Sequence, residues 1–390
     1  MTLRINRSVL LAAVMALAAS ACGGNGAVPS NAALAGAARA GAALADKTSI
    51  LKLLTKNVTI GSTVDAKNGD MGPRAISVVQ NASGKLKAGQ VLVCNFADSS
   101  GTAGNGTTIE QFNPTASSKP TTFFQNTAIE GCDGDAIDGG ADDDVSATGF
   151  TSKVMVEITP TGKLKKTYGS PITQPLADGA APPLYSYSSE IVFVGNADTG
   201  TVDNVGLGGY GNKKVLEVID GFDVNKGSGF GALGPSGLSY WCGAPEGSYQ
   251  CNNTSDVLYV ADGACNAVVA ISHASALLVK DEITVQPGCK KFTCLYPKYT
   301  CAKLVKAGKP LDEPVAQTLL PNGNLIVANA GNNTLVEMTP KGKVLDSEVI
   351  DTGQAPAIFG LAAIGTSDSN TALFYTDTNT NTLHELEQNS

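Results

Sequence analysis

The stretch LIVANAGNNTLVEM, Leu325 to Met338, sets a short apolar, β-branched run on either side of a polar Asn/Gly turn. That is a β-hairpin pattern, because Asn and Gly supply the turn conformations and the flanking runs suit a pleated, buried surface. It recurs without a gap as LYVADGACNAVVAI (Leu258 to Ile271) and LFYTDTNTNTLHEL (Leu373 to Leu386). More divergent copies are VLVCNFADSS continuing to TTIEQFNP (Val91 to Pro114) and IVFVGNADTG continuing to KKVLEVID (Ile191 to Asp220), each read with an insertion in its turn. A further second half, VMVEITPTGKL (Val154 to Leu164), matches LVEMTPKGKVL (Leu335 to Leu345), including the Thr-Pro-x-Gly-Lys turn.

A Pro-led apolar strand precedes several hairpins: GPRAISVV from Gly72, GPSGLSYW from Gly234, EPVAQTLL from Glu313 and APAIFGLA from Ala355. The unit is therefore four strands, repeated about six times. Such a unit cannot bury both faces alone, and radial stacking is the common solution. The expected fold is all-β, a propeller of six four-stranded antiparallel blades. The last copy ends at Leu386, so its outer strand is missing, and KNVTIGST (Lys56 to Thr63) is expected to supply it and close the ring.

The segment EPVAQTLLPNGNLIVANAGNNTLVEMTPKGKVL (Glu313 to Leu345) resembles an NHL repeat, the unit of six-bladed propellers. The resemblance rests on Pro-x-Gly before the second and fourth strands and on Val-Ala-Asn and Gly-Asn-Asn at the central turn. It implies kinship with gluconolactonase-like and lactonase-type enzymes as well as with binding scaffolds, so it leaves activity open.

The N-terminus reads as a targeting segment. Arg4 and Arg7 precede the apolar run Val9 to Ala19, and small residues follow, so residues 1–21 are expected to be a signal peptide. Ala19-Ser20-Ala21-Cys22 resembles a bacterial lipobox, which implies lipidation at Cys22; ordinary Ala-x-Ala cleavage before an incidental Cys is the alternative. Residues 22–47 are almost entirely Ala, Gly, Asn, Ser and Pro, the composition of a tether that cannot bury enough apolar surface to order itself. The propeller is expected over residues 48–390. Localisation follows as exported and lipid-anchored to a bacterial membrane, in the periplasm or at the cell surface.

Cysteine arithmetic agrees with export. Of 9 cysteines, removing Cys22 leaves Cys94, Cys132, Cys242, Cys251, Cys265, Cys289, Cys294 and Cys301, an even number suited to disulfides. Short spacing favours Cys242–Cys251 and Cys294–Cys301, which leaves Cys94–Cys132 and Cys265–Cys289. The whole chain carries a net charge of −8, and loss of Arg4 and Arg7 with the signal takes it to −10. No Lys/Arg cluster offers what a nucleic-acid backbone requires, so nucleic acid is excluded as a partner. With 2 histidines in 390 residues, His-based zinc sites and general acid–base catalysis have little to work with.

The repeated positions carry the candidate chemistry. Asn95, Asn196, Asp262, Asn329 and Asp377 end successive second strands and form a column. Each can accept hydrogen bonds within its own turn. Alternatively Asp262, Asn329 and Asp377 line a metal site at the channel mouth, as in a metal-dependent, gluconolactonase-like hydrolase, although that family's glutamate-led pattern has no match here. The acidic run CDGDAIDGGADDD (Cys132 to Asp144) is read as a solvated loop, with weak calcium binding through Asp133, Asp135 and Asp138 as the alternative. Apart from that possible calcium, no cofactor is expected. His273 and His384 are read as residues of third strands.

The inserts Ser239 to Asn253 and Cys289 to Cys301 hold Trp241, Tyr249, Phe292, Tyr296 and Tyr299, aromatics that supply interface energy where they are exposed. The functional expectation is a binding or scaffold propeller for a protein or glycan at the cell envelope, held to the membrane only by its N-terminal lipid and performing no chemistry. The hydrolase is the alternative.

Overall fold

The computed structural model describes residues 49–137, 143–181, 191–207, 214–228, 231–241 and 255–389. The signal peptide, Cys22, the tether, Asp138, Cys242, Tyr249 and Cys251 lie outside the described residues. Strand β1 (Lys56–Ser62) precedes the first sheet, which is β2 (Met71–Val78), β3 (Val91–Ala97), β4 (Ala103–Phe112) and β5 (Thr121–Gln125). Sheet two is β6 (Cys132–Ile137), β7 (Val145–Gly149), β8 (Val154–Ile158) and β9 (Leu164–Tyr168). Sheet three begins with β10 (Pro175–Ala181), β11 (Ile191–Asn196), β12 (Thr201–Gly206) and β13 (Val215–Asp220), and a small ribbon of β14 (Asn225–Ser228) and β15 (Gly231–Leu233) follows.

Sheet four is β16 (Pro235–Trp241), β17 (Val257–Asp262), β18 (Ala267–Ser272) and β21 (Cys301–Ala307); the intervening β19 (Ile283–Val285) and β20 (Phe292–Cys294) join sheet three. Sheet five is β22 (Pro314–Leu319), β23 (Leu325–Asn329), β24 (Thr334–Met338) and β25 (Val344–Val349). Sheet six is β26 (Ile358–Ile364), β27 (Ala372–Asp377), β28 (Thr382–Glu387) and, as its outer strand, β1, with Lys56 opposite Glu387 and Ser62 opposite Thr382. Among the described residues the only helical elements are short 3-10 turns.

Six core clusters alternate with the six sheets. Ile109 meets Ile158 between sheets one and two, Met155 meets Val205 between two and three, and Phe193 meets Ile271 between three and four. Tyr259 and Val336 share the next cluster, and Ile326 and Tyr375 the fifth, together with Ile50, Leu51 and Leu54. Phe374 of sheet six then packs with Val93 of sheet one, which completes a ring. Both faces of every middle strand are covered, which explains why β3, β11, β23, β24 and β27 are buried along their whole length.

Toward the axis the first strands of neighbouring sheets nearly touch. A Cβ on Gly237 would lie 2.9 Å from Ala316 Cα, and one on Gly360 2.6 Å from the Arg74 carbonyl, so this approach requires glycine. The matched Thr-Pro-x-Gly-Lys segments form one turn twice. Gly162 N–H donates to Thr159 O and Gly342 N–H to Thr339 O, each at 2.8 Å, and both glycines have positive φ.

Three expectations are corrected. The Cys132–Ile137 segment is not a solvated loop but the buried inner strand β6, its carboxylates held by sheet one. KKVLEVID is not the partner of β11: TVDNVG pairs there directly, and Val215–Asp220 is the fourth strand. TVDNVG was hidden because it buries Asp203 and Asn204, whose polar groups bond to or from Asn196 and Leu277. Sheet three has six strands rather than four, since an insert of sheet four pairs with its edge.

Candidate functional site

The repeated column ends the second strands, except that Asn95 lies two residues before the end of β3, and each side chain is buried. Four of its members face a proline at the head of their own first strand: Pro73, Pro175, Pro235 and Pro314. Asn95 Nδ2 donates to Thr63 O at 2.7 Å. Asn196 accepts from Thr173 N–H at 2.9 Å and donates to Asp203 at 2.9 Å. Asn329 Nδ2 donates to Pro310 O at 2.9 Å and to Thr334 Oγ1 at 2.8 Å. Asp377 accepts from Asn379 N–H at 2.8 Å and from the Thr380 hydroxyl at 2.6 Å. Each residue thus braces its own turn or the segment leading into its blade, and the proposed metal trio Asp262, Asn329 and Asp377 shares no hydrogen bond across sheets.

A second polar group sits on the inner strands of sheets one and two. The Arg74 guanidinium lies 3.6 Å from the Phe96 ring centre and 4.4 Å from that of Phe359, and donates to Asp133 at 3.3 Å. Burial pushes Asp133 up to about 7 against the pull of Arg74. Burial likewise pushes Asp135 to about 7, against the hydroxyl that Ser77 donates to it. A buried arginine between two aromatic faces needs its carboxylate neighbour, since an isolated charge there is costly. The two Asp residues of the suggested calcium loop are therefore inter-sheet ties.

The histidines have structural surroundings. His384 stacks on Tyr375 with ring centres 4.9 Å apart and bonds to Thr382 and Asn57, and burial lowers its pKa. His273 follows β18 rather than lying on it, at φ 53°, and contacts the Tyr299 carbonyl.

The insert between β18 and β21 is where side chains remain outward. β19 runs parallel to β13, with Ile219 opposite Ile283, and β20 returns antiparallel to it. Cys265–Cys289 bonds the far end of this hairpin to the β17–β18 turn, Cys294–Cys301 bonds its return to β21, and Cys94–Cys132 joins β3 to β6. Buried Glu282 accepts the Leu278 and Val279 N–H groups at 3.2 and 3.3 Å, while its carbonyl accepts Leu295 N–H at 2.9 Å. A ledge results, with Leu278 56% exposed, Leu295 54% and Tyr299 71%, flanked by Val279 and Tyr296.

Of the aromatics singled out in the sequence, Tyr296 and Tyr299 are exposed, whereas Phe292 packs on the cluster between sheets three and four and Trp241 on that between four and five. Leu278, Val279 and Leu295 escaped sequence reading. In Ala276-Leu277-Leu278-Val279 only Leu277 enters the core among the three large residues, and composition alone does not separate it from its neighbours.

No protein-family model matches the chain, and no curated protein sequence matches it. Among solved structures it is similar to a catalytically inactive virginiamycin B lyase from Staphylococcus aureus with quinupristin, at 12% identity and TM-score 0.46 over 85% of this chain and 98% of that one. It is similar to a streptogramin B lyase at 12% identity and TM-score 0.48 over 86% and 98%. A chain of a nidogen/laminin complex is similar at 12% identity and TM-score 0.43 over 71% and 88%. The six-bladed propeller stands on the sheets and clusters of this chain, and likenesses this remote say nothing of its activity.

Proposed function

We propose that the protein is an exported propeller, lipidated at Cys22, that binds a protein or glycan partner in the cell envelope and performs no chemistry of its own. The observation that carries this reading is the ledge. Five of the eight large hydrophobic side chains exposed among the described residues lie between Leu278 and Tyr299, on an insert stapled at both ends. Clustered exposed apolar groups on a rigid support mark interaction surfaces. Lys290, Lys291, Lys298 and Lys303 lie in or next to the same stretch of chain, all exposed, on a chain of net charge −8, which favours an acidic partner. The NHL-like repeat and the three disulfides support an exported scaffold, since disulfides persist in oxidising compartments.

The test is a photo-crosslinking residue in place of Tyr299, with one in place of exposed Thr161 on sheet two as control. A partner adduct at 299 alone is the expected result; no adduct, or the same adducts at both positions, overturns the reading. Replacing Asp262, Asn329 and Asp377 with Ala leaves that adduct in place. Metal-dependent lactone hydrolysis by the wild type, lost in the triple variant, would establish the hydrolase instead.

A further inference from the structure

One member of the column does more than brace its turn. Asp262 is fully buried, and its Oδ1 accepts the Cys265 N–H at 2.9 Å, much as Asp377 Oδ1 accepts the Asn379 N–H. In Asp377 the second oxygen is taken by a threonine hydroxyl. In Asp262 the second oxygen lies 3.6 Å from Cys289 Sγ, and the two sulfurs and the carboxylate oxygen all fall within 4.8 Å of one another. With the sulfurs joined this is no thiolate metal site; it is a disulfide with a carboxyl group against one sulfur.

The two sulfurs also differ in access. Cys289 is buried, whereas Cys265 is only half-buried in the β17–β18 turn, so an incoming thiolate reaches Cys265 and the electron pair must leave on Cys289. A thiolate developing in a buried place is costly unless it is protonated as it forms. The geometry points to Cys265–Cys289 as a thiol–disulfide exchange site for an envelope dithiol, with Asp262 as the proton donor to the departing Cys289 sulfur.

The step balances as follows. The reductant's thiolate bonds to Cys265 Sγ, the Cys265–Cys289 bond breaks, and Cys289 Sγ keeps the pair and takes the Asp262 proton. The reductant's second thiol, deprotonated, then displaces Cys265 as a thiol, so the reductant leaves as a disulfide and solvent reprotonates Asp262. Burial, joined by the negative charge of Asp223, pushes Asp262 up to about 7, which keeps the proton available in mildly acidic conditions. Asp223 also accepts Gly288 N–H at 3.0 Å, so once the disulfide opens it holds the tip of the hairpin, whose base stays fixed by the β13–β19 pairing and Cys294–Cys301. The pair is thus a latch on the insert that carries the ledge. Its effect on partner binding rests on the function proposed above; its chemistry does not.

The experiment uses the full mature chain at pH 6 with dithiothreitol, quenched by alkylation at intervals, with each pair followed by peptide mass spectrometry. In the wild type Cys265–Cys289 opens several-fold faster than the half-exposed Cys294–Cys301, and the buried Cys94–Cys132 opens last. Asp262→Asn keeps the turn acceptor but not the transferable proton, and slows Cys265–Cys289 by about tenfold or more while Cys294–Cys301 is unchanged. Equal opening in wild type and Asp262→Asn overturns the assignment. So does a wild-type Cys265–Cys289 that opens no faster than Cys294–Cys301, a comparison that stands even if the variant does not fold. Crosslinking at position 299 is read separately, so failure of the binding reading and failure of the latch are distinct results.

Discussion

Ser49 Oγ donates to Glu337 Oε2 at 2.7 Å, joining residues 288 positions apart. The same carboxylate accepts Leu51 N–H at 2.9 Å and Asn324 Nδ2–H at 2.8 Å, so one buried acid seats the segment from Ser49 to Leu54 between sheets five and six. Glu337→Ala leaves these donors without an acceptor. The expected cost is about 3 kcal/mol, read as a lower melting temperature in calorimetry. Deleting the chain through Thr63 removes β1 as well and lowers the melting temperature far more than deletion through Ala45. Equal melting of the two truncations would show that β1 does not hold the ring closed.

Stability is expected to fall as pH rises from about 5 to 9, an unusual direction for an acidic protein. Burial, followed by the Asp65 carboxylate, pushes Glu110 up to about 9. Burial also raises Asp133, Asp135, Asp203 and Asp262 to about 7. A carboxyl group whose folded pKa is raised binds its proton more tightly in the native state. Its contribution is complete below the unfolded value and is lost as pH climbs through the folded one. Asp65 runs the other way: hydrogen bonds from Glu110, Thr122, Asn68 and Lys67 outweigh burial and lower it to about 2, which matters only in strong acid. Glu110→Gln, which mimics the protonated form, should flatten the melting temperature between pH 7 and 9; an unchanged slope refutes the assignment.

Arg74→Ala strands the buried carboxyl of Asp133 and is expected to cost about 3–5 kcal/mol, whereas Arg74→Met with Asp133→Asn costs clearly less. Denaturant titration of Arg74→Met, Asp133→Asn and the double variant measures the coupling. Because Arg74 and Ser77 already engage Asp133 and Asp135, chelator dialysis should leave the melting temperature unmoved. A drop restored by calcium would return these residues to the metal reading.

Lipidation is tested at Cys22. Incorporation of a fatty-acid analogue in the wild type and its loss in Cys22→Ala is the expected result, and equal labelling of both places the lipid elsewhere.

Much of the ring was legible because two features survive without knowledge of neighbours. Hairpins such as Leu325–Met338 carry their turn chemistry within a few residues, and their near-continuous apolar runs reflect burial on both faces. Strands β6 and β12 were missed for the opposite reason. Asp133 and Asp135 read as solvated and β12 carries the polar Asp203, yet Arg74, Ser77 and Asn196 from other strands each engage one carboxylate oxygen of these residues inside the protein.

The sequence by itself determined the four-strand repeat, the all-β class, the position of the column and the short spacing that pairs Cys294 with Cys301, whereas the longer pairs Cys94–Cys132 and Cys265–Cys289 follow only as the remainder. These depend on local periodicity and on how cheaply short loops close. Only the tertiary structure decided that β19 and β20 leave sheet four for sheet three, that Phe292 turns inward while Tyr299 faces solvent, and that Asp262 meets a sulfur. Those outcomes hinge on groups distant in the chain arriving at one place, and burial and hydrogen bonding then give the same residue type different roles in different blades.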